Sequence, residues 1–157
     1  MAEVTLGLGS NLGDKRANIA AAIGKLARGG VEVLARSHDY RTDPWGPVAQ
    51  DWFVNACARI RTDLAPEALL ALCLQVEREL GRVRGERYGP RAIDIDILTY
   101  EGIERDDPAL TLPHPRLLER AFVLVPLLEV APDLVVKGRR IADALARIGR
   151  DGVTRID

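Results

Sequence analysis

Residues 93 to 98 read Ile-Asp-Ile-Asp-Ile-Leu, and so strict an alternation leaves few conformations open. On a β-strand successive side chains point to opposite faces with a rise of about 3.3 Å per residue, so Ile93, Ile95 and Ile97 share one face and Asp94 and Asp96 the other. The isoleucines demand a covered apolar layer. The aspartates start about 7 Å apart on the same side. If that side is partly buried they repel each other and lose hydration, so they require cations or hydrogen-bond donors around them. Two Mg²⁺ ions roughly 4 Å apart, each taking oxygen ligands at about 2.1 Å, would fit between them. The segment predicts a sheet with one face packed and the other given to chemistry.

The other periodic segments supply that sheet. "EVTLGLG" alternates and predicts a first strand from Glu3 to Leu8. Ile19, Ala22, Ile23 and Leu26 form the stripe of an amphipathic helix over Asp14 to Ala27, with Asp14 as its cap and Gly29 and Gly30 ending it. "VEVLARSHDY" reads as one strand leading into the loop "RTDPWGP". From Trp52 to Arg61 a strand is expected with Trp52, Val54, Ala56, Ala58 and Ile60 on the core face, and Phe53, Asn55, Cys57 and Arg59 opposite. Pro66 opens a second helix whose stripe is Leu69, Cys73, Val76 and Leu80, with Gly81 as its stop. After the Asp strand, which ends near Tyr100, come "LPHP", a helix from Arg120 to Val130, a short strand near Leu134 to Val136 and a helix from Ile141 to Ile148. Strand, helix, strand, strand, helix, strand is an α+β pattern, a ferredoxin-like βαββαβ sandwich with C-terminal helix and strand additions. If the two helices cover the isoleucines, Phe53, Asn55, Asp94 and Asp96 share the opposite face.

At 157 residues the chain suits one domain over residues 1–157 rather than two. Its longest apolar run, Phe122 to Leu128, is interrupted by Pro126 and too short to span a membrane, and the N-terminus shows no secretory pattern, so a cytoplasmic protein is expected. A net charge of −1 disfavours a nucleic-acid surface that works by phosphate neutralisation. Basic charge is instead concentrated in "GRVRGERYGPR", which places Arg82, Arg84, Arg87 and Arg91 just before the aspartates. Cys57 and Cys73, each within an apolar segment, read as small core residues and indicate neither a zinc site nor a disulfide framework.

A carboxylate pair for Mg²⁺, a loop of arginines and His114 beyond the strand form a set suited to a polyphosphate, because phosphoryl transfer needs positioning and charge stabilisation above all. No G-x-x-x-x-G-K-[ST] loop occurs. Gly7, Gly9 and Gly13 of "GLGSNLG" also miss the dinucleotide spacing, so that segment reads as a tight turn after strand one.

"RYGPRAIDIDIL" resembles the signature of the 6-hydroxymethyl-7,8-dihydropterin pyrophosphokinase family of folate biosynthesis. "GSNLGD", "YRTDPWGP", "FVNA", "ERELGRVR", "LPHP" and "RAFVLVPLLEVAP" resemble further segments of that family, in order, over most of the chain. The resemblance implies transfer of the terminal pyrophosphate of ATP to the hydroxymethyl group of the pterin, with release of AMP. It implies that Asp94 and Asp96 hold two Mg²⁺ ions on the triphosphate, with Asp94 also near the pterin. Arg82 and Arg91 would serve as catalytic phosphate contacts, with Arg84 joining them, while His114 and Arg120 would lie on the nucleotide. Asn55 would hydrogen-bond the pterin between Phe53 and Phe122, and Thr42, Asp43, Pro44 and Trp45 would contribute at its edge. The loop carrying Gly85 and Gly89 would close over the site with Tyr88 as an aromatic lid. Tyr88 stands where the family usually has Trp, Trp45 where an aliphatic residue is usual, and Leu74 where Gln is common. Glu77 matches a helix position whose role is read as supporting.

A monomer acting on two small molecules, without nucleic acid or membrane, is expected. Two other readings remain open at this stage: another two-metal nucleotidyltransferase, which would want a third carboxylate on an adjacent strand and a basic groove, and a non-catalytic ferredoxin-like module that binds a small ligand.

Overall fold

The computed structural model describes residues 1–43, 51–81 and 92–156. Strand β1 (Ala2–Ser10), helix α1 (Lys15–Arg28), strands β2 (Val31–Arg36), β3 (Asp39–Thr42) and β4 (Phe53–Thr62), helix α2 (Pro66–Glu79) and strand β5 (Asp94–Tyr100) follow one another along the chain. β1 lies between β4 and β5 and runs antiparallel to both, while β2 and then β3 pair with β4 on its other side. That order is the ferredoxin-like arrangement expected from the sequence.

The helices form where the periodicity places them. Asp14 accepts the Ala17 N–H and caps α1, and Gly29 closes it by donating to the Leu26 carbonyl at 2.9 Å. α1 and α2 bury Ile19, Ala22, Leu26, Leu69, Cys73 and Val76 against Val4, Leu6, Leu8, Val54, Ala56, Ile60, Ile93, Ile95 and Ile97. All three isoleucines of the alternating segment therefore face this core.

The remaining chain covers part of the opposite face. It contains β6 (Arg105–Asp106) paired with β7 (Thr111–Leu112), a 3₁₀ turn at Leu117–Glu119, helix α3 (Ala121–Val130), the hairpin β8 (Val135–Val136) and β9 (Arg139–Arg140), helix α4 (Ile141–Ile148) and strand β10 (Val153–Ile156). α3 runs through Pro126 without ending, since one missing N–H in a well-buried helix is outweighed by packing. A second core joins Leu117, Leu124, Leu127, Ile141 and Leu145 to Cys57 and Leu98 of the sheet. No described helix is long and apolar enough to cross a membrane.

Three expectations change. The segment "VEVLARSHDY" forms two strands. Ser37 interrupts it by donating its N–H to the Cys57 carbonyl and accepting the Cys57 N–H on its hydroxyl, both at 2.9 Å. Of the "GLGSNLG" glycines, Gly13 lies at φ +72° in the bend after β1, but Gly7 and Gly9 are inside the strand, which runs to Ser10. β10 has no counterpart in the sequence reading, and it adds an outer strand to β3.

Candidate active site

The sheet register assembles the site. Asp94 on β5 stands opposite Gly9 on β1, which stands opposite Asn55 on β4, and Asn55 in turn pairs with Tyr40 on β3. One step along, Asp96 pairs with Gly7 and Gly7 with Cys57, while Phe53 pairs with Thr42. Neighbouring strands lie about 4.8 Å apart, so Asp94 and Asn55 flank a trough roughly 10 Å wide whose floor is a glycine backbone. This is why β1 carries glycine there. A methyl group at Gly9 would sit 2.9 Å from Asn55 Nδ2, too close for the amide to keep its place.

Asn55 is held by its neighbour: Thr42 Oγ1 donates to Asn55 Oδ1 at 2.6 Å, and among the described residues Asn55 Nδ2 makes only a long 3.5 Å contact to the Leu8 carbonyl. The amide NH₂ therefore keeps hydrogen-bonding capacity to spare. Thr42 is buried, and Phe53, Asn55, Asp94, Asp96 and Phe122 are half-buried.

The outer edge of β5 is tied at two points, one between the aspartates and one beyond them. The buried Glu77 on α2 accepts the Ile95 N–H at 2.8 Å, fixing the backbone between Asp94 and Asp96. Glu77 lies four residues after Cys73, on the buried stripe, which is the sequence sign of its role. Further along, His114 donates its N–H to the Leu98 carbonyl at 2.8 Å, just after the cis Leu112–Pro113 bond.

That tie brings a basic group to the carboxylates. Burial pushes the His114 imidazole below its ordinary value, the Arg120 and Arg116 charges push it further, and Asp94 opposes them. Arg116 N–H donates to His114 Nδ1 at 3.2 Å, so the neutral ring carries its proton on Nε2 and offers a donor there. Burial and then Arg116 lower the Arg120 guanidinium, while Asp96, Glu119 and Asp94 counter them; it stays charged. Arg120 also lies 5.5 Å from the Phe122 ring centroid. Asp94, Asp96, His114, Arg116 and Arg120 thus share one electrostatic environment. Arg116 is absent from the sequence reading, though its place two residues after His114 in the same turn was a signal.

Of the remaining sequence-predicted residues, Asp43 is exposed at the end of β3. Pro44, Trp45, Arg82, Arg84, Tyr88 and Arg91 lie outside the described residues. Among the described residues no group of three or more His, Cys, Asp or Glu could hold a metal. Two half-buried carboxylates over a glycine floor nevertheless fit Mg²⁺, which is commonly held by one or two carboxylates with substrate phosphates and water completing its shell. A separate cleft of about 690 Å³ opens at the other end of the same face, among Thr5, Arg59, Thr99, Leu134 and Lys137, and none of the predicted site residues lines it.

Comparison with known proteins bears on this arrangement. The family model described as 7,8-dihydro-6-hydroxymethylpterin-pyrophosphokinase matches residues 5–132. The 2-amino-4-hydroxy-6-hydroxymethyldihydropteridine pyrophosphokinase of Methylorubrum extorquens is 54% identical over 158 residues, covering 100% of both chains. The enzyme of the same name from Pseudomonas aeruginosa is 42% identical over 155 residues, covering 98% of this chain and 96% of that one. Among solved structures, wild-type Plasmodium falciparum HPPK-DHPS with pteroate superposes with a TM-score of 0.77 at 14% identity, covering 99% of this chain. The present chain spans 46% of that solved chain, and the likeness bears on the fold alone.

Proposed function

The chain belongs to the 7,8-dihydro-6-hydroxymethylpterin-pyrophosphokinase family, and from that premise we propose that the trough between Asp94 and Asn55 is where its two substrates meet. The reaction is transfer of pyrophosphate from ATP to the hydroxymethyl group of 6-hydroxymethyl-7,8-dihydropterin, in folate biosynthesis. The observation that carries the reading is the pairing of Asp94 and Asp96, side by side on the open face, with the glycines and Asn55 across from them.

In this reading Asn55 donates its NH₂ to the pterin, held in orientation by Thr42, and Phe53 and Phe122 stack on its ring. Asp43, Pro44 and Trp45 line its edge. His114 Nε2–H and the Arg120 guanidinium contact the nucleotide phosphates, with Arg82, Arg84 and Arg91 added from the preceding loop and Tyr88 as its lid. The pterin hydroxymethyl oxygen forms a bond to the β-phosphorus and gives up its proton to water as the bond from that phosphorus to the oxygen bridging the α-phosphate breaks. Negative charge grows on the departing AMP oxygen, and cationic side chains there lower the barrier; one such donor is typically worth about 3 kcal/mol. Asp94 and Asp96 would hold two Mg²⁺ ions, which supply charge neutralisation of the triphosphate. Glu77 keeps the two carboxylates in register by fixing the backbone between them. The whole activity is assigned to one cytoplasmic, monomeric domain over residues 1–157, with no nucleic-acid or membrane partner.

The test is AMP formation from ATP and the pterin by Asp94→Asn and Asp96→Asn. Activity lost by about 10³-fold or more, with the thermal midpoint nearly unchanged, supports the reading; either variant turning over at the parental rate overturns it.

A further inference from the structure

β10 lies beyond the stretch matched by the family model, which ends at residue 132. It pairs along the whole of β3: Val153 opposite Thr42, Thr154 opposite Arg41, Arg155 opposite Tyr40 and Ile156 opposite Asp39. The pairing continues one step further, where Asp43 donates its N–H to the Gly152 carbonyl at 3.1 Å. β3 is only four residues long, and a strand so short depends on both neighbours to hold its register. Register matters here because a slip of one residue turns Thr42 to the other face and removes its bond to Asn55.

A side-chain chain ties the same elements together. Arg155 Nη2 lies 3.0 Å from His38 Nε2. A guanidinium can only donate, so Nε2 accepts, and His38 Nδ1 carries the proton that it gives to Glu129 Oε2 at 2.8 Å. The His38 backbone N–H donates to that oxygen at 2.9 Å, and the Tyr40 hydroxyl donates to Glu129 Oε1 at 2.7 Å. β10, the link between β2 and β3, β3 itself and α3 are thereby joined through one carboxylate.

We propose that β10 is a strap that holds β3 in place and so orients Thr42 and the Asn55 amide, making Arg155 a positioning residue for the pterin end of the site. The inference rests on the reading that Thr42 and Asn55 bind the pterin. Two alterations weaken the strap at different points. Arg155→Ala removes the bond to His38. Gly152→Ala puts a side chain on a residue at φ +80°, with its methyl 3.4 Å from Asp43 Oδ2, and strains the turn that carries the Asp43 contact.

Steady-state AMP formation by the full chain, with pterin and ATP varied in turn, tests this. In Arg155→Ala and Gly152→Ala the KM for pterin rises about tenfold while the KM for ATP stays within about twofold, and Arg155→Lys, which can still donate to His38, recovers most of the loss. A fall in kcat with both KM values unchanged would mean a purely structural strand and overturn the proposal. Asn55→Ala, assayed beside them, separates the two layers. If it raises the pterin KM and the strap variants do not, the strap alone is wrong; if it leaves the pterin KM unchanged, the site reading fails and the strap's role fails with it. Should Arg155→Ala show no cooperative melt, Gly152→Ala decides.

Discussion

Asp96 and Leu98 stand two residues apart on the same face of β5, yet Leu98 is 1% exposed within the second core while Asp96 is half-buried in the open trough. β1 shows the same two neighbours: a Cβ on Gly7 would meet the Leu98 side chain at an ordinary 3.5 Å, whereas one on Gly9 would come within 2.9 Å of Asn55 Nδ2. Alternation decides only which face a side chain takes. Where α3 and α4 stop covering that face decides whether a side chain on it joins the second core. The division also explains why this face of β5 carries Asp94 and Asp96 and then Leu98.

If the division is right, substitutions at its two ends affect different observables. Asp96→Ala lowers kcat/KM by about 10³-fold or more and moves the melting midpoint by only a few degrees, read by steady-state kinetics beside calorimetry. Leu98→Ala does the reverse: it costs about 2–5 kcal/mol of stability through the cavity it leaves, measured by urea unfolding, while the folded fraction turns over at nearly the parental rate. A large kinetic defect in Leu98→Ala without destabilisation would show that the boundary is misplaced. Gly9→Ala, whose methyl intrudes on Asn55, is expected to raise the pterin KM about tenfold with little effect on ATP.

The smallest effect is in the pH dependence of stability on the covered side. Burial pushes the Glu129 carboxyl up, but hydrogen bonds from Tyr40 and His38 outweigh it and hold the group below its ordinary value. A carboxyl depressed in the folded state binds fewer protons there than when unfolded. Its contribution is therefore full above the ordinary Glu value, about 4.3, and fades as pH falls through the lower folded value. Glu129→Gln should flatten that acid limb by under about 1 kcal/mol. Tyr40, pushed up to about 12 by burial and then by Glu129, gives a second sign. Its contribution is present below about pH 10 and fades as pH rises towards 12.

Much of this was legible in the sequence because local patterning and tertiary packing agree there. The boundaries of α1, α2 and α4, the isoleucine face and the shared face of Phe53, Asn55, Asp94 and Asp96 follow from periods of 3.6 and 2. What was not legible depends on distant partners. Val153–Ile156 is too short to declare itself a strand without the edge of β3, more than a hundred residues earlier. Gly7 and Gly9 carry the composition of a turn, and only their place between β4 and β5 shows that the absent side chain is the point. Ser37 splits a β-prone segment through hydrogen bonds to Cys57 that no local rule announces. Arg116 was passed over because an exposed arginine in a turn looks ordinary until His114 is seen beside it.

The metal-bearing nucleotide is expected to bind at the Asp94 and Asp96 carboxylates. Calorimetric titration of a non-hydrolysable ATP analogue, with and without Mg²⁺, into the parental chain and the Asp94→Asn/Asp96→Asn double variant tests it most directly. Mg²⁺-dependent binding by the parent is expected, with its loss in a double variant that still melts cooperatively. Equal Mg²⁺-dependent affinity in both would contradict it.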